Sequence, residues 1–183
     1  MKHLKKLTLL HSNDMHGDFL AKEVDDKLLG GVSMLSGYVN KIRNEEENVL
    51  YAIAGDMFRG SVIDSEYKGL STIEIMNMLA PDVVTLGNHE VDYGIGHLLF
   101  IEKCARFPII NANLYLTTNH VRLFNSHVVL EVDGMKILFI GNSYTFYNDM
   151  PTVYFENMAK ACGYNVQVAT ITKGAYTLEK FAD

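Results

Sequence analysis

The 183-residue sequence predicts an α/β fold, a layered β-sheet with helices outside it. Three observations carry that expectation. Short aliphatic runs, at Leu7–Leu10, Val49–Ala54, Asp82–Leu86 and Pro108–Asn111, read as strands. Segments of helical apolar spacing separate them, so right-handed crossovers and a sheet covered by helices follow. Three of these strands run into clusters of Asp, Asn and His, and strand ends are where open α/β sheets place their chemistry.

The first strand, Leu7–Leu10, passes into His11-Ser12-Asn13-Asp14-Met15-His16-Gly17-Asp18. Asp14 and His16 are two residues apart, a spacing that in extended chain puts both on one face and lets an oxygen and a nitrogen reach the same ion. Gly30-Gly31 opens an amphipathic helix over Val32–Arg43, with Val32, Leu35, Val39 and Ile42 at helical intervals. Glu45-Glu46-Glu47 reads as a solvated corner. The second strand, Val49–Ala54, ends in Gly55-Asp56. The stretch Met57–Gly69, with Arg59 and Ser61, reads as a long loop of the kind that is often functional in compact domains.

Ser71 is expected to cap a helix over Thr72–Leu79, with Glu74 three residues on as in a capping box, and Pro81 stops it. The third strand ends in Gly87-Asn88-His89-Glu90-Val91-Asp92. A carboxamide oxygen can bind metal, an imidazole can bind metal or move a proton, and Asp92 is near enough to hold His89 in one tautomer. The bland counterpart is a helix-capping Asn and a surface His. A third helix runs from Gly94 to about Arg106, with His97 read as a helix residue. Asp133-Gly134 between Val128–Val132 and Met135–Ile140 is a strong hairpin signal. His120 and His127, before and within it, are minor candidates as ligands.

Composition bounds the partners. The chain is 48% hydrophobic and 21% charged, as soluble globular proteins are. A net charge of −6 with no basic block argues against duplex nucleic acid. No run approaches membrane-spanning length, and Leu7–Leu10 is too short for a signal-peptide core, so no membrane partner and a cytoplasmic location are expected. Cys104 and Cys162 lack metal-like spacing and read as two buried thiols in a reducing compartment.

In order and spacing, Asp14 with His16, then Asp56, then Asn88 with His89, resemble the calcineurin-like metallophosphoesterases. The longer match, through Gly30-Gly31 and Gly87-Asn88-His89-Glu90 to Asp92-Tyr93-Gly94, resembles their 5′-nucleotidase branch and covers about residues 7–140. The resemblance implies a metallophosphatase-type sheet with two divalent ions. Asp14 and His16 would hold the first, Asp56 would bridge both, and Asn88 would hold the second. His89 would stabilise the transferring phosphoryl group, with Asp92 orienting it. Such ions, about 3.5–4 Å apart, clamp an in-line displacement and acidify a water, so the implied reaction is phosphomonoester hydrolysis by a metal-bound hydroxide. Mixed O/N ligands suit Mn, Zn, Fe or Co. The implied substrate is a small phosphate ester, a nucleotide first of all.

The family also brings histidines from a Gly-His-x-His segment, which these 183 residues do not contain, and its nucleotidase branch a nucleoside-holding C-terminal domain, which is not expected within them. The site is thus expected to be incomplete, weakly active, or completed by a partner chain. Beyond Lys136–Gly141 the sequence departs. Asn142-Ser143 after a strand resembles the first block of an SGNH (GDSL-like) hydrolase, which implies Ser143 as a nucleophile and Gly174 near an oxyanion hole. A helix over Thr152–Ala161 and a strand over Tyr164–Ala169 would make that tail β-α-β-like. The expected organisation is therefore residues 1–140 and 141–183, joined within 136–141. The competing functions are an SGNH-type serine esterase fragment using Ser143 and a metal-binding remnant without turnover.

Overall fold

The computed structural model describes residues 5–140 and 156–164. The chain divides into two compact units, Met1–Ser143 and Tyr144–Asp183. In the first unit four parallel strands form one sheet, side by side in the order β1 (Thr8–Ser12), β4 (Val49–Ala54), β5 (Val83–Thr85) and β6 (Ile109–Ile110). Two antiparallel hairpins stand apart from this sheet, β2 (Lys22–Val24) with β3 (Lys27–Leu29), and β7 (His127–Val132) with β8 (Met135–Ile140).

The order of the four parallel strands follows the sequence, so every crossover steps the same way. α1 (Gly31–Glu45) joins β1 to β4 by way of the first hairpin. α2 (Val62–Glu66) and α3 (Leu70–Leu79) join β4 to β5, and α4 (Ile95–Cys104) joins β5 to β6. With right-handed crossovers, α1, α3 and α4 lie on one face of the sheet. Val39 of α1, Ile73, Met76 and Leu79 of α3, and Leu98 and Ile101 of α4 pack in one cluster with Tyr51, Ile53, Val84 and Ile109. The central strands are largely apolar and mostly buried, as parallel strands are: β5 is buried along its length, and β4 everywhere but at the half-buried Val49 and Ala52. Parallel pairing also fixes where the site must be. Thr8 to Ser12 pair with Val49 to Ile53, and Ala52 to Ala54 with Val83 to Thr85, so the three strand ends share one edge.

The mixed α/β fold agrees with expectation, with instructive differences. β1 runs two residues further, to Ser12, because its ladder with β4 continues to Ile53. The expected loop 57–69 contains α2, whose N-cap Ser61 Oγ accepts from Asp64 N at 3.2 Å. Five residues are too few to show a helical period. Ser71 is not a cap. α3 starts from Gly69 in the left-handed region, φ 85°, and Ser71 Oγ donates to Ile63 O. The hairpin β2–β3 turns through Asp25 and Asp26, both at positive φ, and the Asp133-Gly134 hairpin forms as the sequence predicts. Both cysteines are free, but neither is buried: Cys104 is half-buried and Cys162 exposed, the latter in the turn after α5 (Glu156–Ala161). No described helix is long and apolar enough to cross a membrane. Ser143, Gly174 and most of the tail strand lie outside the described residues.

Candidate metal centre

Asp14, His16 and Asp56 converge. Each offers one ligand atom, and these atoms lie within 4.8 Å of one another. His16 Nε2 is 3.8 Å from Asp14 Oδ1. The route to this cluster corrects the expected one. Asp14 and His16 do not share a face of extended chain. They lie past the end of β1 in the left-handed region, φ 53° and 49°, and Asp56 past the end of β4 matches them at 53°. Non-glycine residues occupy that region at a steric cost of about 1–2 kcal/mol each and concentrate at functional sites.

Backbone hydrogen bonds hold that conformation. Asp14 N donates to Gly55 O at 3.1 Å, His16 N to Asp56 O at 3.0 Å and Gly17 N to Met57 O at 2.7 Å. The ladder between β1 and β4 is in effect carried beyond the sheet, through the residues that bear the ligands. His16 Nδ1 lies 3.2 Å from Phe58 O and 3.0 Å from Arg59 O, two acceptors, so Nδ1 carries the proton. Nε2 is then the lone-pair nitrogen, on the side facing Asp14. A metal-binding histidine typically has its other nitrogen anchored in this way. Two carboxylates and an oriented imidazole fit a divalent transition ion on the chemistry of their donors.

The third strand end closes against Asp56. His89 N donates to Asp56 Oδ1 at 3.0 Å, and the His16 and His89 rings meet edge to face, 5.1 Å between centroids. Asn88 is exposed on the turn between Gly87 and His89. A glycine is required at 87: a Cβ there would lie 2.2 Å from Asp56 Oδ1.

His89 Nδ1 bonds Asp92 Oδ2 at 2.8 Å, and Arg59 Nη1 reaches the same oxygen at 3.3 Å. The Asp92 hydrogen bond raises the His89 pKa above its ordinary value, with Asp56, Asp92 and Glu90 adding to the effect. Reciprocally, the His89 hydrogen bond lowers that of Asp92, with the Arg59 charge contributing. The imidazolium–carboxylate form of the pair is thereby favoured, and Nε2–H is left as a donor.

Two buried carboxylates had no assigned role in the sequence reading. Glu90, 1% exposed, accepts hydrogen bonds from the backbone of both neighbouring strand ends. Burial pushes its pKa up, and the N–H groups of Gly87, Asp56 and Met57 pull it back. Asp64, also buried, accepts from Arg59 N at 2.6 Å, Thr72 Oγ1 at 2.5 Å and Tyr93 OH at 2.9 Å. The spacing Ser61-x-x-Asp64 was the available signal for Asp64. For Glu90 only its place beside Asn88 and His89 offered one. The remaining histidine candidates lie outside the cluster. His97 Nε2 donates to Lys68 O at 2.6 Å, and the exposed His127 pairs with Ser126 Oγ at 2.8 Å. His120 is exposed at φ 55°.

A parallel α/β sheet that gathers two carboxylates and an oriented imidazole at one strand edge fits a metal-dependent hydrolase. Comparison with known proteins makes the family specific: the calcineurin-like phosphoesterase pattern matches residues 7–170, and the chain belongs to that family. It is 37% identical over 149 residues to the 5′-nucleotidase of Mus musculus, a match covering 74% of this chain and 26% of the mouse protein. Among solved structures it resembles the NAD nucleotidase of Haemophilus influenzae, with TM-score 0.67 and 27% identity over 87% of this chain and 33% of that one. The 5′-nucleotidase precursor of Thermus thermophilus gives TM-score 0.67 and 29% identity, over 87% of this chain and 35% of that one. The chain thus spans about a quarter of the length of the mouse relative.

Proposed function

We propose that the chain carries the metal-dependent part of a 5′-nucleotidase-type phosphomonoesterase, with nucleotides as the substrate class. The observation that carries this reading is the convergence of Asp14, His16 and Asp56 beside the His89–Asp92 pair. Asp14 and His16 would hold one divalent ion, Asp56 would bridge to a second, and Asn88 would belong to the second. Bound ions there would acidify a water and neutralise phosphate charge. The protein's own share is positional. Asp56 Oδ1 fixes the turn that bears His89 through His89 N, and Asp92 fixes the ring. The Nε2–H of His89 is then the donor for a phosphoryl oxygen, an interaction that strengthens as charge develops in the transition state.

The relatives' names, 5′-nucleotidase and NAD nucleotidase, support the nucleotide class. The serine-esterase alternative at Ser143 is not favoured, since the family match runs across 7–170. Nothing in the comparisons supports a partner chain that supplies further histidines. The proposed boundary between two parts of the chain falls between 1–140 and 141–183, and the proposed location is cytoplasmic.

The test is metal content and Mn²⁺-dependent turnover of p-nitrophenyl phosphate and a nucleoside monophosphate, for wild type and Asp56→Ala. The expected result is chelator-sensitive hydrolysis in wild type, reduced at least about 100-fold in the variant together with its metal content. Equal metal in both proteins would remove Asp56 from the site. Metal bound by wild type without turnover would favour a non-catalytic metal-binding domain.

A further inference from the structure

The three strand ends are joined in two different ways. Backbone bonds link residues 14–17 to residues 55–57. Among the described residues no backbone–backbone bond links residues 55–58 to residues 86–90. The Glu90 carboxylate occupies that gap. Its Oε2 accepts from Asp56 N at 2.9 Å and from Gly87 N. Its Oε1 accepts from Met57 N at 2.6 Å and Phe58 N at 3.3 Å. Two donors thus fall to each oxygen. Three come from the β4 end, 32 to 34 residues away, and one from the β5 end.

We infer that Glu90 is a positioning residue: its buried carboxylate clasps the ends of β4 and β5 and so sets Asp56 against the Asn88–His89 turn. The residue type follows from the donor count. An ionised carboxylate is acceptor-only, with about four lone-pair sites, and four N–H groups converge on it. Glutamine has nearly the same shape, but its amide nitrogen brings two donors to face N–H groups. Aspartate is one methylene too short to span both strand ends. Burial strengthens each bond and makes each loss costly, so the clasp is rigid only when all four are made. It acts on a residue that matters, because the peptide N–H it holds belongs to Asp56, the proposed bridging ligand.

This inference rests on the metal-site reading for its functional consequence, and the experiment separates the two. Mn²⁺ affinity of the 183-residue protein is measured from the free-ion electron paramagnetic resonance signal, for wild type, Glu90→Gln and Ile101→Val. The last is a core change away from the site that lowers stability alone. Amide exchange of Asp56, Met57, Phe58 and Gly87 is followed in parallel. Glu90→Gln is expected to bind Mn²⁺ at least about tenfold more weakly, while Ile101→Val stays within about twofold of wild type. The four amides should be protected in wild type and lose protection together in Glu90→Gln. Folded Glu90→Gln that binds Mn²⁺ like wild type would overturn the inference, as would four wild-type amides exchanging as freely as an exposed loop. Should Glu90→Gln fail to fold, the wild-type exchange decides. Should wild type bind no Mn²⁺, the metal reading falls, and the clasp is judged on the exchange data.

Discussion

The loop after β1 and the turn after β5 bring His16 and His89 to the same place by opposite means. In the first, Asp14 and His16 sit in the left-handed region, and main-chain bonds to residues 55–57 hold them there. In the second, Asn88 and Asp92 keep ordinary right-handed geometry, φ −80° and −62°, and side chains do the holding: Glu90 toward the backbone and Asp92 toward the His89 ring. Strain is tolerated where the ladder continues beyond the sheet, since backbone bonds over-determine the conformation. Where β4 and β5 part after Ala54 and Thr85, no backbone–backbone bond joins residues 55–58 to 86–90 among the described residues, and carboxylates take over. The first half should therefore respond to backbone conformation and the second to side-chain chemistry.

Substitutions in the second half test this most strongly. His89→Ala is expected to lower phosphoester turnover about 10²–10⁴-fold while leaving bound metal near the wild-type level, measured by turnover and metal analysis on the same samples. Equal losses of metal and turnover would make His89 part of the ligand shell and erase the distinction between the two halves. Asp92→Asn should cost less, about 10–100-fold, because the ring stays and only its orientation and charge support weaken. Its direction can be checked by NMR titration: the His89 pKa, raised in wild type chiefly by Asp92, should fall.

Gly87→Ala probes the contact between the halves. The new Cβ would meet Asp56 Oδ1 and Asp56 N, so β5 or the Asp56 turn must shift. A loss of about 1–3 kcal/mol in urea unfolding is expected, with weakened metal binding. A stability change below that range with unaltered metal binding would show that the strand ends have slack.

A smaller effect belongs to β1 itself, ahead of that loop. Burial lowers the His11 pKa from 6.5 to about 4. The unfolded chain thus binds a proton that the folded one resists, so this contribution to stability is complete above pH 6.5 and is lost as pH falls toward 4. Between about pH 7 and pH 5 the loss should be roughly 2 kcal/mol by denaturant unfolding, and His11→Leu should flatten the profile in that window. An unchanged slope in His11→Leu would assign the acid sensitivity to other groups.

Much of the fold was legible in local pattern. The apolar runs of β4 and β5, the helical spacing of Val32, Leu35, Val39 and Ile42, and Asp133-Gly134 each encode one element without help from distant residues. Short elements were not: α2 is below one and a half turns, and the β2–β3 hairpin turns on an Asp-Asp pair rather than on glycine. Ser71 satisfied a capping pattern that Gly69 in fact supplies through its backbone.

What the amino-acid order determined by itself was the inventory: which strands end in which polar side chains, and so which residues could form a metal centre. What only the tertiary structure decided was how they meet. Parallel register aligned the three strand ends, and the left-handed turns at Asp14, His16 and Asp56 came from bonds between segments far apart in the chain. Glu90 shows the limit most clearly. A carboxylate's task depends on the N–H groups around it, and three of its four donors lie on another strand end, beyond any local reading of its neighbours.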